Sequence, residues 1–389
     1  MGEIEKYAEI VGGGFMNRGA EMMVDVCSQQ LRSWQGPWRA AVDWSTGSYE
    51  DRAARELKHV VDVKRLGKIG AMLPMVLPSA ARRRLGIVGS REIDVVLDVA
   101  GFAYSDQWGP GPARAMAERA VSRSKQGERY FLLPQAFGPF EDEQVASSVK
   151  SYLDRAELIF VRDRVSLEHV EKLMGTGDER ISLCPDFTCL AKPTVTDFQC
   201  DGDYACVVPN CRMVDPRHGN SAGEYEEMLL EAIRQIDSLG LRVVLMNHEG
   251  AEDLAIVKRL DQKSPVSCKI VRGGRGLELK AILGGAQFAV ASRFHAIVSA
   301  LIQGVPVIGT GWSHKYKELF GDFGIGKLLI TVGGDHEELV SLVKSMGQGL
   351  EYEGYRGNIA AGLQDYRSRS EALWGQLRGR MESGSQPGA

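Results

Sequence analysis

Along the second half of the chain, short apolar runs alternate with longer stretches in which apolar residues recur every three or four positions. Tyr204–Val208 is one such run, followed by a polar loop over 210–220. Leu229, Ile233, Ile236 and Leu239 then share one face of a helix predicted over about 224–239, with Gly240 as its stop. The same reading predicts strands at 241–246, 269–271, 288–291 and 305–308, and helices at 251–260, 277–283 and 293–302. Strands apolar throughout, separated by helices, indicate a parallel sheet covered on both faces.

The first half repeats the alternation less clearly. Strands are predicted at 8–11, 39–42, 95–99, 130–133 and 158–161, and helices at 20–31, 112–123, 143–155 and 166–173. The expected fold is therefore α/β, with two doubly wound Rossmann-like domains facing a cleft, over 1–195 and 200–345. Apolar content drops near 192–203, the expected linker. A helix over about 350–381, clearest from 363, is expected to pack back on the first domain, and 382–389 to form a mobile polar tail. The apolar stretch 69–78, broken by Pro74 and Pro78 and followed by Arg82-Arg83-Arg84, reads better as a buried connection with a solvated basic turn than as a membrane-interface patch.

Composition narrows the class. The 389 residues carry 47 Lys+Arg against 51 Asp+Glu, with 44% hydrophobic and 25% charged positions, which excludes a disordered or fibrous chain. The near-neutral balance without a basic block argues against nucleic acid as a partner. Seven cysteines include no C-x-x-C pair, and the loose cluster from Cys184 to Cys211 lacks histidines at ligand spacing, so no metal site is expected. The first residues lack a signal peptide's apolar stretch, and no apolar run reaches the ~18 residues that span a bilayer. The expected location is cytoplasmic, with at most peripheral contact at the inner face of the membrane.

Candidate chemistry gathers where strands end. After 288–291 comes Ser292-Arg293-Phe294-His295, with Ser292 expected as N-cap and Arg293 and His295 in the first helical turn. After 305–308 come Ser313, His314 and Lys315, at another helix start. Cations there oppose the helix dipole, so the pattern points to a bound anion that offsets them. Arg grips a carboxylate bidentately, and imidazole titrates near neutrality, so a ligand with both phosphate and carboxylate suits the four groups. In the first half, Gly12-Gly13-Gly14 leads to Asn17-Arg18-Gly19. A dinucleotide fingerprint fails there, because Asn17 stands where its third glycine belongs. Asp43, Asp98, Gly101, Asp106, Gln135 and Arg162-Asp163 mark further strand ends.

Together these segments resemble the polysaccharide pyruvyl transferase family. The matching features are the glycine turn with Asn17 and Gly19, Gln135 with Gly138-Pro139, Arg162-Asp163 with Ser166, and Pro185-Asp186. Ser292-Arg293-Phe294-His295-Ala296, then Gly304-Val305-Pro306 and Lys315, complete the series. Ala20 stands where that family often has Asp, and Ala100 where it often has a glycine pair.

The resemblance implies a glycosyltransferase-B-like fold and transfer of pyruvyl from phosphoenolpyruvate to a sugar as a cyclic ketal, with no cofactor beyond that donor substrate. It implies that Arg293 and His295 bind the donor and act in catalysis, with Lys315 nearby. Arg162 and Ser292 are further donor-binding candidates and His314 the alternative acid. Asn17, Asp106 and Gln135 are the acceptor-side candidates. Whether the acceptor is lipid-linked stays open. A nucleotide-sugar glycosyltransferase of the same fold and a non-catalytic anion- or sugar-binding protein are the competing readings.

Overall fold

The computed structural model describes residues 5–61, 78–123, 127–214, 221–311, 313–334, 336–347 and 349–383. Residues 69–77 of the apolar stretch, 215–220 of the polar loop and 384–389 of the tail lie outside them. Two units emerge: 1–15, 20–187 and 369–389 form the first, while 16–19 and 188–368 form the second.

In the first unit the order is β1 (Lys6–Val11), α1 (Arg18–Ser33), β2 (Trp38–Asp43), α2 (Tyr49–Ala53), β3 (Lys58–Val61), α3 (Ser79–Arg84), β4 (Ile87–Gly89) and β5 (Ile93–Asp98). Then follow α4 (Gly111–Arg123), β6 (Arg129–Gln135), α5 (Glu143–Leu153), β7 (Ala156–Val161), α6 (Arg164–Met174) and β8 (Ile181–Leu183). The strands form one sheet in the order β4-β3-β2-β1-β5-β6-β7-β8, every pairing parallel. Strand order reverses between β1 and β5, the signature of a doubly wound sheet. Val96, Tyr130, Leu132 and Ile159 are fully or almost fully buried, as both-face coverage of parallel strands requires.

The second unit continues with β9 (Tyr204–Val208), α7 (Ala222–Ser238), β10 (Arg242–Met246), α8 (Gly250–Lys263), β11 (Cys268–Val271) and α9 (Gly276–Gly284). After these come β12 (Ala289–Ala291), α10 (Phe294–Leu301), β13 (Val307–Thr310), α11 (His314–Asp322), β14 (Leu329–Ile330), α12 (His336–Ser345) and α13 (Leu350–Glu382). Its sheet runs β11-β10-β9-β12-β13-β14, again all parallel, and reverses between β9 and β12. The stripe expected on α7 is buried at Leu229, Ile233 and Ile236, and the Ser221 capping box fixes its start.

The long strands fall where the apolar runs place them. Four short ones, β3, β4, β8 and β14, escape the pattern because two to four residues at or near a sheet edge make no conspicuous apolar run. Helix α13 is longer than its clearest periodicity, at 33 residues. Residues up to Ser368 group with the second unit and those from Arg369 with the first. There Trp374 meets the Trp34 and Phe187 rings edge-on, at 6.3 and 5.9 Å, and Arg129 donates to the carbonyls of Arg380 and Met381. In the expected basic turn, Arg82 is paired with Glu92. No helix among the described residues is long and apolar enough to cross a membrane.

Candidate active site

Open parallel sheets bind ligands at the carboxyl ends of their strands, where strand order reverses. In the second unit that point lies after β9 and β12, at Asn210 and Ser292-Arg293. Ser292 is the junction of this edge. Its hydroxyl accepts from Tyr225 Oη (2.7 Å) and shares a 2.6 Å hydrogen bond with Thr310 Oγ1. Its carbonyl accepts from Asn210 Nδ2 (2.9 Å) and Tyr316 Oη (3.0 Å). These bonds overturn two expectations for Ser292. It is not the N-cap, because its hydroxyl is turned to β13 and α7; Arg293 occupies that position and α10 starts at Phe294. Nor does it present a side chain to a donor, being 1% exposed.

Arg293 is engaged internally. Nε and Nη2 make two 2.7 Å bonds to the Asp253 carboxylate, and Nη1 makes a third, also 2.7 Å, to Glu249. Burial disfavours the Arg293 cation, but the bonds to Asp253 and the charge on Glu249 outweigh it and raise its pKa. The bidentate grip expected for a donor carboxylate is thus already made with Asp253, which is 0% exposed and also accepts the Cys211 N–H. Burial, reinforced by the Asp253 charge, pushes the Cys211 thiol up to about 12.

His295, His314 and Lys315 are half-buried at the starts of α10 and α11. Neither helix has a side-chain cap bond or an acid in its first turn. By contrast, α2, α5, α6 and α7 carry Ser or Asp caps. Two neighbouring helix starts therefore direct uncapped N–H groups and basic side chains to one edge of the sheet. Phe294 organises them: its ring packs edge-on against His295 (5.4 Å) and Tyr316 (5.7 Å), and Lys315 Nζ lies 5.0 Å from its centroid.

Residues 16–19 group with this unit. Asn17 Oδ1 accepts the Gly19 N–H at 2.9 Å, closing the first turn of α1, so the acceptor role expected of that oxygen gives way to capping. A Cβ at Gly19 would overlap the His295 imidazole. The absent side chain makes room for His295.

A residue that sequence reasoning missed lies after β10. His248 is 2% exposed, and among the described residues neither ring nitrogen has a partner. Burial first, then the charges of Arg293, His295 and Arg18, hold its pKa well below the usual histidine value. Beside it, Asn247 donates to the Arg272 carbonyl while its Oδ1 is unpartnered. The available signal was the one applied to Arg293, a polar pair directly after an apolar strand.

The remaining candidates belong to the first unit. Arg162 is 3.3 Å from the buried Asp186 carboxylate. Asp106 accepts the backbone N–H groups of Glu141 (2.8 Å) and Asp142 (3.3 Å), so its carboxylate ties down a loop. Gln135 is 0% exposed beside Asp98, and neither its amide nitrogen nor its amide oxygen has a hydrogen-bond partner among the described residues. Asp98 accepts from Tyr104, Tyr152 and the Ala100 N–H; burial raises its pKa against those bonds. Among the described residues, no group of three or more His, Cys, Asp or Glu is placed to hold a metal ion.

Comparison with known proteins shows the family and the fold. A family model described as polysaccharide pyruvyl transferase matches residues 32–314. The amylovoran biosynthesis protein AmsJ of Erwinia amylovora is 20% identical over 305 residues, covering 69% of this chain and 71% of AmsJ. Among solved structures, a putative UDP-N-acetylglucosamine 2-epimerase from Listeria monocytogenes matches with a TM-score of 0.60 at 11% identity, over 99% of both chains. The UDP-GlcNAc 2-epimerase of Neisseria meningitidis gives 0.58 at 9% identity, over 96% of this chain and 99% of its own. A glycosyltransferase from Rickettsia africae gives 0.56 at 8%, over 97% and 99%. At such identities the likeness is one of fold, and that fold is glycosyltransferase-B-like, with Rossmann-like sheets. The chain belongs to the polysaccharide pyruvyl transferase family, and is a transferase with a pyruvyl-transfer role.

Proposed function

We propose that the protein transfers the pyruvyl group of phosphoenolpyruvate to a sugar of a glycan or glycolipid, forming a cyclic pyruvate ketal and releasing phosphate. The observation that carries this is the pair of uncapped helix starts, α10 and α11, bearing His295, His314 and Lys315 at one end of the second sheet. A small acid with two anionic ends suits two helix starts that carry basic side chains. With Arg293 neutralised by Asp253 and Glu249, direct donor contacts fall to His295, His314, Lys315 and the backbone.

In this reading His295 protonates the methylene carbon, with His314 as the alternative acid. One sugar hydroxyl adds to the resulting cationic C2 and gives up its proton. Phosphate leaves with the electron pair of the C2–O bond, its charge stabilised by Lys315 and the helix starts. A second hydroxyl then closes the ring and releases its proton; phosphate and the methyl group account for the protons transferred. The donor is the source of the pyruvyl group, and the scheme uses no further cofactor. The enzyme acts in the cytoplasm, where phosphoenolpyruvate is made, on a sugar acceptor that is free or lipid-linked.

The test is phosphate release from phosphoenolpyruvate with candidate glycans and glycolipids, the product followed by mass. Thermal stabilisation by phosphoenolpyruvate, and none by UDP- or GDP-sugars, supports the reading. The reverse pattern, with sugar transfer, replaces it by nucleotide-sugar glycosyltransfer. His295→Ala should lower turnover by about 10²–10⁴-fold in a folded protein; an unchanged rate removes His295 from the mechanism.

A further inference from the structure

A polar side chain buried without a partner is unusual, because water has been removed and nothing replaces its hydrogen bonds. His248 shows this on both ring nitrogens, and the Asn247 carbonyl oxygen beside it shows it too. Their place is not random: they follow β10, which pairs with β9 at the reversal of strand order. The next residue, Glu249, holds Arg293, the N-cap of the helix that carries His295. Helix α8 begins at Gly250, again without a side-chain cap bond. The charged groups acting on His248 are Arg293, His295 and Arg18, all of one sign.

A neutral imidazole has one N–H to donate, and the contributions of Arg293, His295 and Arg18 favour an anion as its acceptor. We propose that His248 is a further ligand of the anionic donor, giving a hydrogen bond to its phosphate or carboxylate from the end of β10. The inference rests on the phosphoenolpyruvate reading above and adds a binding residue to it. It explains why a histidine is kept buried and unsatisfied: the missing partner arrives with the substrate. The anion also offsets the surrounding positive charge, so protonation of His248 becomes easier when the site is filled.

The test uses the full chain with His248→Leu and His248→Phe. The first keeps approximate volume without nitrogens and the second keeps a ring, so a packing failure in one leaves the other. Binding of phosphoenolpyruvate and, separately, inorganic phosphate is measured by calorimetry, with steady-state rates alongside. A bond to a charged group predicts phosphoenolpyruvate affinity weakened about 10-fold or more, with KM rising more than kcat falls. His248→Gln, which retains a donor, should recover part of the loss. Parallel weakening of inorganic phosphate binding assigns the contact to the phosphate end; unchanged phosphate binding assigns it to the carboxylate. Folded apolar variants whose phosphoenolpyruvate affinity and KM stay within twofold of the parent overturn the assignment of His248 alone. A parent protein that fails to bind phosphoenolpyruvate overturns the donor reading and this inference with it.

Discussion

Arg293 offers the sharpest test of the geometry, because a free clamp and an internally paired cation respond oppositely to mutation. In Arg293→Ala the Asp253 carboxylate, 0% exposed, loses two of the three N–H donors it now has and retains the Cys211 N–H. Removing one partner of such a buried pair costs about 3–5 kcal/mol. At roughly 2–4 °C per kcal/mol for a unit of this size, Tm should fall by about 6–20 °C. Asp253→Ala should also destabilise, leaving the guanidinium with Glu249 and the Cys211 sulfur and the Cys211 N–H without its acceptor. The double variant removes both buried charges, so it should lose less than the two singles summed, by about 2 kcal/mol or more. Urea unfolding of the four proteins, with m compared as well as midpoint, measures that coupling. An Arg293→Ala protein within about 0.5 kcal/mol of the parent, yet with KM for phosphoenolpyruvate raised tenfold, would refute the internal-pair account and restore the clamp.

Three other outcomes follow from particular contacts. Gly19→Ala improves helix propensity by about 1 kcal/mol, yet its methyl group overlaps the His295 imidazole; turnover should fall about 10²-fold with stability little changed, and a fully active variant rejects the packing. Asp98→Ala leaves the buried Tyr104 and Tyr152 hydroxyls and the Ala100 N–H without their acceptor, and should cost about 3 kcal/mol or more in urea unfolding. His248 has a folded pKa below its unfolded value, so the unfolded chain binds the extra proton and stability falls as pH drops through the unfolded value near 6.5. The slope contributed is at most about 1.4 kcal/mol per pH unit. His248→Leu should flatten the acid limb between pH 7 and 5, as read by Tm, and an unchanged limb contradicts the assignment.

The fold was legible wherever burial on both faces leaves a run of apolar residues, as at Tyr204–Val208. It was illegible where a strand has only two residues, as at Leu329–Ile330. The cationic helix starts were legible because they break a local rule about charge and helix polarity. Their partners were not, because they come from far along the chain. Nothing near Ser292 announces Tyr225 or Thr310, 67 and 18 residues away, so the usual preference of serine for the N-cap pointed to the wrong residue. The same holds for Arg293, whose Asp253 lies 40 residues upstream. His248 was readable in principle: Asn247-His248 follows an apolar strand just as Ser292-Arg293 does. Asp106 and Gln135 mark the opposite limit, since an exposed-looking polar residue in a turn gives no sign of whether a backbone amide or the interior claims it.

The closing segment of the chain has a consequence for biosynthesis. The indole of Trp374 packs edge-on against Trp34 and Phe187, and Arg129, paired with Glu157, also donates to the carbonyls of Arg380 and Met381. A nascent chain of 187 residues is therefore a unit still lacking a wall, which is supplied only once the residues from 369 onward have been made. Folding of that unit should be completed only after the second unit has been translated. Fragments cut at 187 should display bare aromatic surface and call on chaperones, while the same fragments mixed with a 369–389 peptide should recover solubility.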